Sequence, residues 1–390
     1  MDIRPSGDNI SPKDILPVVA SLPLIFCNDV TAMAERRIEV RSVSLKEEIV
    51  SETLTPARIM EVAMAFWPAK TLLSAVELGL FSTLGANAMT GAELERSLGL
   101  HGRANPDFFD TLVALRFLDR DGDGADARYR NTAETAQFLD RYSSHYVGGF
   151  LELANARLYR FWGDLTEALR TGKPQNETKH GHAGLFEELY SKPGQLEQFM
   201  EAMAGISAAN FQAFAQRFDF SRYKTLCDVG GANGLLSMLV AQAHPHMRCI
   251  SADLPAATAI AARKIQAAGL DDRVSVQALD FFKDPLPRAD VITMGMILHD
   301  WNLEKKMHLV KSAYNALPAG GAFVAIENII DDARRDNAFG LMMSLNMLIE
   351  FGEAFDFTGA DFDGWCRQVG FRETEVINLA GPASAAIAFK

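Results

Sequence analysis

The spacing of apolar residues changes near position 223, and this change divides the chain. From 56 to 222 apolar residues recur with a helical period, and few stretches alternate as a strand would. From 223 to 390 short apolar runs alternate with helical stretches, an order typical of a parallel sheet covered on both faces. We therefore predict an N-terminal extension over 1–55, a helical domain over 56–222 and an α/β domain over 223–390.

The pattern of the helical domain predicts three helices followed by a hairpin, the outline of a winged helix. Thr90 and Glu93 have the spacing of a capping box at a helix start. A helix over Phe108–Leu118 precedes a glycine-rich turn, 121–124, and a short strand around Ala127–Arg130. One helical stripe before them is formed by Phe66, Leu72, Leu73, Val76, Leu80 and Phe81.

In the α/β domain seven strands are predicted. They are Thr225–Val229, Met247–Ala252, Val274–Leu279, Asp290–Met294, Ala322–Glu327, Thr374–Leu379 and Ala385–Phe389. The helical stretches include Leu235–Ala243, Ala256–Ala268 and Glu304–Leu317, the last with Asn302 as its N-cap. Because only a short turn separates the last two strands, we predict a five-stranded parallel sheet of the Rossmann-like kind with a C-terminal antiparallel hairpin.

The charge of the chain bears on whether the predicted winged helix binds nucleic acid. The chain carries 38 Lys and Arg against 50 Asp and Glu, a net charge of -12. The candidate recognition helix, Asn105–Phe117, holds Asp107 and Asp110 but one basic residue, Arg116. The two aspartates of this helix would repel the phosphates of a nucleic acid. We expect no nucleic-acid partner and a structural or dimerising role for this domain.

The N-terminal extension contains an apolar run, Ile15–Cys27, that resembles a signal-peptide core. It is shorter than the roughly 20 residues that span a bilayer, and acidic residues precede it. The net negative charge also disfavours anionic membranes. We expect a cytoplasmic protein without membrane attachment, in which this segment packs on a partner subunit. The four cysteines contain no CxxC pair and are expected to be free thiols.

A glycine-rich loop follows the first strand of the α/β domain, where ligands of such sheets bind. Its glycines are spaced Gly230-Gly231-x-x-Gly234, unlike the G-x-G-x-x-G of nicotinamide dinucleotide folds, and Asp228 lies in the strand end. A carboxylate there would repel a pyrophosphate but suits a cofactor with an ammonium group. The second and third strands also end near acids, Asp253 and Asp280, which are placed to bind ribose hydroxyls and an adenine amino group.

His299 follows the fourth strand in Ile297-Leu-His-Asp-Trp301. An imidazole accepts a proton near neutral pH, and a carboxylate bonded to one ring nitrogen leaves the other free as a base. Glu327 ends the adjacent fifth strand, and Asp356 lies in the loop before Thr358. Alone, each of these residues is more often structural; together they suggest a general base flanked by two acids.

Taken with these motifs, the chain from about position 56 to 390 resembles the small-molecule O-methyltransferases of the caffeic-acid and acetylserotonin type. The resemblance rests on Leu-Cys-Asp-Val-Gly-Gly-Ala-Asn-Gly, Ser-Ala-Asp-Leu-Pro, Leu-Asp-Phe-Phe, Leu-His-Asp-Trp and a Phe-Glu-Glu-Leu…Met-Glu-Ala-Met segment. It implies S-adenosylmethionine as cofactor, no metal, and a homodimer formed through the helical domain. It implies transfer of a methyl group to a hydroxyl of a small aromatic or polyketide-like secondary metabolite.

The resemblance also implies roles for individual residues. His299 would be the general base, with Glu327 and Asp356 as its flanking acids. The implied cofactor-binding residues are Asp228, Gly230, Gly231, Asp253, Leu254, Asp280, Phe281 and Trp301. The implied substrate-binding residues, which periodicity alone assigns to the core, are Phe199, Met203, Met343, Asn346 and Met347.

Two departures from the family pattern bear on the site. Gly295 stands four positions before the histidine, where many relatives carry a basic residue. The second acid is an aspartate in Asp356-Phe357-Thr358 rather than a glutamate in Glu-Arg-Thr, which shortens its reach and suggests a more apolar pocket. Two alternatives stay open: a same-fold hydroxylase or decarboxylase, and a non-catalytic regulator that senses the cofactor. A nicotinamide dehydrogenase comes third, and the spacing of the glycines disfavours it.

Overall fold

The computed structural model describes residues 54–182, 185–191 and 193–390, and Pro56–Lys390 form one compact unit. The predicted extension over 1–55, with its segment Ile15–Cys27, lies outside the described residues except for its last two positions. Three cysteines are described, Cys227, Cys249 and Cys366, and each is buried and free.

The N-terminal part contains helices and a small antiparallel sheet, as the winged-helix pattern predicts. Its sheet has the order β1-β3-β2, with β1 Met89–Thr90, β2 Leu118–Asp121 and β3 Arg128–Asn131. The capping box at Thr90 is confirmed. The helices are α1 (Ala57–Met64), α2 (Phe66–Glu77), α3 (Leu80–Leu84), α4 (Gly91–Leu98), α5 (Asp107–Ala114) and α6 (Ala133–Phe138).

Two predicted bounds in this part are wrong. The single apolar stripe is divided between α2 and α3, because Gly79 between them has a left-handed φ of 70°. The helix predicted to reach Leu118 ends at Ala114, since Arg116 has a φ of 64°, and Leu118 begins β2 instead. A residue with positive φ cannot continue a right-handed helix.

The run Ala57–Glu77 is long and apolar enough to cross a membrane by length and composition. Such a run is weak evidence for a span, because apolar helices that pack against protein pass the same test. Several of its side chains are exposed, among them Ile59 at 72% and Trp67 at 61%.

A helical segment connects this part to the sheet. Residues Ala154–Leu158 form a short π-helix, and α11 runs for 25 residues before the first strand of the large sheet. The helices are α7 (Gly148–Leu153), α8 (Tyr159–Phe161), α9 (Leu165–Thr171), α10 (Leu185–Ser191) and α11 (Pro193–Arg217).

The large sheet has seven strands in the order β6-β5-β4-β7-β8-β10-β9. The first five strands are parallel, and β10 is antiparallel to both of its neighbours. The bounds of all seven strands lie within one residue of the predicted bounds. The strands are β4 (Thr225–Val229), β5 (Arg248–Asp253), β6 (Val274–Ala278), β7 (Val291–Gly295), β8 (Ala322–Glu327), β9 (Glu373–Asn378) and β10 (Ser384–Phe389).

Helices cover this sheet on both faces, and two buried apolar clusters fill the space between them. Asn302 is the N-cap of the helix Leu303–Ala316 (α14), as predicted, and its side chain accepts a hydrogen bond from the Lys305 amide. Because β4, β5, β7 and β8 are parallel, their carboxyl ends meet at one edge. The helices are α12 (Leu235–Ala243), α13 (Pro255–Ala267), α14 (Leu303–Ala316), α15 (Ala338–Phe351) and α16 (Gly359–Val369).

Candidate active site

A glycine loop at the end of β4 is held tightly against neighbouring strands. The amides of Gly230 and Gly231 both donate to the carbonyl of Ala252, at 2.8 and 3.2 Å. Gly230 has a φ of 73°, and a Cβ there would lie 2.3 Å from Ile297 Cδ1. A Cβ at Gly231 would lie 2.4 Å from the Ser251 hydroxyl. Both glycines are therefore required by the packing of the loop.

Two buried carboxylates flank this loop, at the ends of β4 and β5. Asp228 accepts a hydrogen bond from the Thr293 hydroxyl at 2.8 Å, and burial raises its pKa to about 7. Asp253 accepts from the amide of Ala232 at 2.9 Å and from the Tyr190 hydroxyl at 3.1 Å. Burial also raises the pKa of Asp253. Asp253 is thus fixed by the loop and already accepts a hydroxyl hydrogen bond at the cavity wall.

The other predicted cofactor residues lie outside the cavity lining. Asp280 forms an ion pair with Lys283 at 2.7 Å, and the Lys283 side chain lowers its pKa. Phe281 and Trp301 pack against each other, with ring centroids 6.2 Å apart. Leu254 is the N-cap residue of α13. Their predicted roles in cofactor binding stay predictions.

The loop that carries His299 is shaped by Glu327. One carboxylate oxygen of Glu327, Oε1, accepts hydrogen bonds from the amides of Ile297 (3.1 Å), Leu298 (2.9 Å) and His299 (3.4 Å). Met296, just before these residues, has a φ of 56°. This strained turn is held in place because β8 is the neighbour of β7 in the sheet.

The imidazole of His299 is buried among three carboxylates. Its Nδ1 lies 3.5 Å from Asp356 Oδ1 and 3.9 Å from Glu327 Oε2, so the structure brings the three predicted catalytic residues together. Its Nε2 lies 3.3 Å from Asp300 Oδ1. The sequence reasoning gave no role to Asp300, although it directly follows the histidine.

Burial and the neighbouring charges act in opposite directions on the pKa values of His299, Glu327 and Asp300. Burial alone lowers the pKa of an imidazole, but Glu327, Asp300 and Asp356 outweigh it and raise the pKa of His299. Burial raises the pKa of Glu327 to about 7 and that of Asp300 to about 6, against the opposing effect of the imidazole. The surrounding charge therefore stabilises His299 in its protonated form, which makes the neutral imidazole a stronger base.

A cavity of about 470 Å³ opens beside His299 and the glycine loop. His299 and Asp300 line it, together with Asp228 and Asp253. Its remaining walls are mainly apolar and come from α7, α10, α11 and α15. All the residues predicted to contact the substrate line it: Phe199, Met203, Met343, Asn346 and Met347.

A partly buried ion cluster borders the cavity, to which Arg157 and Glu350 contribute lining, and no sequence pattern predicted it. Arg157, in the π-helix, donates to both oxygens of Glu177 at 2.6 and 2.7 Å. It also donates to both oxygens of Glu350, at 3.2 and 3.1 Å. Because 193 residues separate Arg157 from Glu350, no sequence pattern links them.

Packing explains the glycine that departs from the family pattern. A Cβ at Gly295 would lie 2.9 Å from the ring of Phe211, which comes from α11 and lines the cavity. Phe211 thus occupies the space that a side chain at position 295 would need. The long helix α11 can approach the end of β7 only because this residue is glycine.

The comparisons with known proteins agree with this geometry. Residues 162–372 match the O-methyltransferase domain, and residues 60–141 match the O-methyltransferase dimerisation domain. The tetracenomycin polyketide synthesis 8-O-methyl transferase TcmO of Streptomyces glaucescens is 37% identical over 86% of this chain and 97% of its own. The chain belongs to the O-methyltransferase family. It is an S-adenosylmethionine-dependent enzyme that methylates a hydroxyl group.

Two further relatives support this assignment. The 3-hydroxy-5-methyl-1-naphthoate 3-O-methyltransferase of Streptomyces sahachiroi is 32% identical over 84% of this chain and 93% of its own. Human N-acetylserotonin methyltransferase, solved in complex with S-adenosylmethionine, superposes with a TM-score of 0.79. It is 28% identical, and the match covers 88% of this chain and 99% of that one. The same-fold hydroxylase, the regulator and the dehydrogenase are not favoured.

Proposed function

We propose that this enzyme methylates a hydroxyl group on a fused-ring aromatic acceptor, of the polyketide or naphthalene kind, with His299 as the general base. The observation that carries the proposal is the position of the buried His299 imidazole, at the wall of an apolar cavity that also contains the glycine loop. The acceptor and the cofactor would thus meet beside the base.

The cavity walls favour flat, apolar acceptors. Phe186 stacks on Phe351 with ring centroids 5.6 Å apart and planes 5° apart, and Phe199 packs edge-on against Phe186. Flat rings bind well between such faces. On this wall Trp162 donates its indole N–H to Asn346 at 2.9 Å, which orients the amide. The curated relatives named above act on a polyketide and on a naphthoate, which agrees with this acceptor class.

The two carboxylates that flank the glycine loop suit S-adenosylmethionine. Asp253 is placed to accept hydrogen bonds from the ribose hydroxyls, since it already accepts one from the Tyr190 hydroxyl. Asp228 lies at the cavity wall, where its carboxylate would face an ammonium group. When bound, the cofactor supplies an electrophilic methyl group.

His299 takes up the proton of the acceptor hydroxyl as the oxygen attacks that methyl group. Its Nδ1 faces Asp356 and Glu327, so the proton goes to Nε2, beside Asp300. The three carboxylates stabilise the imidazolium that forms. The apolar cavity walls would exclude water and hold the acceptor hydroxyl beside His299, and such positioning supplies much of the acceleration.

The proposal is tested with a panel of phenols and unlabelled S-adenosylmethionine. A naphthol and a larger fused-ring phenol should each gain one methyl group by mass, with one equivalent of S-adenosylhomocysteine released. Their kcat/KM should exceed that of phenol itself, because more of the apolar wall is covered. A panel in which no phenol is methylated, or in which phenol is preferred, would overturn the acceptor class.

The same buried groups have the composition of a metal site, since ligand atoms of His299, Glu327 and Asp356 all lie within 4.8 Å of one another. We propose that they work without a metal, because an imidazole held beside carboxylates can take up the proton of a hydroxyl by itself. Dialysis against a chelator such as EDTA should leave turnover unchanged within error. Loss of activity that added Zn²⁺ or Mg²⁺ restores would contradict this.

We further propose that the enzyme is a homodimer. The matched dimerisation domain, 60–141, begins within the run Ala57–Glu77, several of whose apolar side chains are exposed, among them Phe66 and Trp67. A second copy of the chain would cover these side chains. Burial in a dimer interface would also explain the apolar character of the run without a membrane. Neither a membrane nor a nucleic acid is needed as a partner.

Substitution of Trp67 by aspartate should shift the protein from dimer to monomer, because a charge buried in an apolar interface lacks a partner. The measurement is the mass in solution by light scattering after gel filtration. Leu169→Asp is the matched control: Leu169 is also 61% exposed but lies outside the matched dimerisation domain. If Trp67→Asp leaves the mass unchanged, this face is not the interface.

A further inference from the structure

A lysine is completely buried behind the catalytic histidine. Lys306 lies in the first turn of α14, a helix whose neighbouring lysines, Lys305 and Lys311, are exposed. Its side chain has no exposed surface. Burying an ammonium group is costly unless it is paired, so the groups around it must account for its position.

The contacts of Lys306 join two loops of the active site. Its ammonium group donates a hydrogen bond to the carbonyl of Trp301, two residues after His299. It also lies 3.6 Å from the ring centroid of Phe355, in a cation–π contact. Phe355 directly precedes Asp356. Lys306 therefore connects the loop that holds the base to the loop that holds its second flanking acid.

The charges around Lys306 are mostly negative. Burial lowers its pKa to about 8, while Glu327, Asp356 and Asp300 act in the opposite direction. These are the same three carboxylates that surround His299. With His299 neutral, the ionised cluster would carry three negative charges, and Lys306 reduces the sum to two.

We propose that Lys306 is a positioning residue of the methyl-transfer reaction: it holds the His299 loop against the Asp356 loop and balances the carboxylates around the imidazole. This inference rests on the proposed role of His299 as base. A positive charge beside the cluster favours release of its proton, so that the imidazole is neutral and able to accept the proton of the acceptor hydroxyl.

The test compares the pH dependence of kcat in two charge-removing variants. Lys306→Met keeps most of the length of the side chain, and Lys306→Gln is similar in length and keeps a hydrogen-bond donor. Removing a positive charge raises the pKa of every group in the cluster, so the acid limb of the profile should move to higher pH by about one unit. At a pH on that limb kcat then falls about tenfold. The affinity for S-adenosylhomocysteine, measured by calorimetry, should stay unchanged.

Lys311→Met is the matched control, because Lys311 is an exposed lysine on the same helix, beyond its first turn. The pH profile of this variant should be that of the wild type. A purely structural role would lower the melting temperature and kcat at every pH without moving the limb, and that result would overturn the proposal. If Lys306→Met fails to bind S-adenosylhomocysteine, the Lys306→Gln profile decides. An unshifted limb in Lys306→Gln refutes this inference alone, whereas full activity of a His299→Ala enzyme refutes the base itself.

Discussion

Substitution of His299 by alanine is expected to lower kcat by about 10²- to 10⁴-fold, the usual contribution of a general base. The proton of the acceptor hydroxyl would then lose the imidazole that accepts it at the cavity wall. The affinity for the cofactor should hardly change, because Glu327 holds the His299 loop through its backbone amides and not through the imidazole.

The measurement is single-turnover methyl transfer from labelled cofactor, with calorimetry of S-adenosylhomocysteine to show that the site is intact. His308→Ala is the matched control, since His308 is an exposed histidine on α14 outside the cavity lining. It should keep the wild-type rate. Wild-type turnover by purified His299→Ala would mean that another group removes the proton.

The second large effect is expected at Asp253. Its substitution by alanine should weaken binding of S-adenosylmethionine by roughly tenfold to a hundredfold or more. Hydrogen bonds to a charged group contribute about 1.5–3 kcal/mol each, and every 1.4 kcal/mol is a factor of ten in affinity. The variant also loses the bond from the Ala232 amide that fixes the glycine loop.

Calorimetric titration with S-adenosylmethionine measures this directly. Asp271→Ala, at an exposed acid in the turn between α13 and β6, is the control and should bind as the wild type does. Asp280→Ala is informative beside it, because Asp280 is paired with Lys283 and lies outside the cavity lining. Unchanged affinity in Asp253→Ala would show that the ribose does not bind at the end of β5.

Most of the fold could be predicted because hydrophobic periodicity reports burial directly. Strands buried on both faces, such as Ala322–Glu327, are continuous apolar runs that polar turns interrupt, so their ends are clear in the sequence. The breaks at Gly79 and Arg116 could not be predicted, because they depend on single backbone torsions that leave the apolar spacing unchanged. The roles within the extension 1–55 stay predictions.

The site could be predicted where it follows from strand order. Glu327 ends β8, and His299 lies in the loop that follows the neighbouring strand β7, so their proximity is a consequence of the sheet. Contacts between distant helices and loops have no such signal. A lysine in an amphipathic helix is usually exposed, so nothing in the sequence distinguishes the buried Lys306 from Lys305. Arg157 and Glu350 meet only because α15 packs beside the helical segment.

A site with His299 as general base should methylate oxygen rather than nitrogen. A neutral aromatic amine carries its own lone pair and needs no proton removed before attack, whereas a phenol does. The most direct measurement therefore offers the enzyme a naphthol and the matching naphthylamine with carbon-13-labelled S-adenosylmethionine, and locates the label by NMR. We expect the label on the naphthol oxygen, with turnover that depends on His299. Label on nitrogen in preference to oxygen, or equal labelling by the wild type and His299→Ala, would contradict methylation of oxygen with His299 as the base.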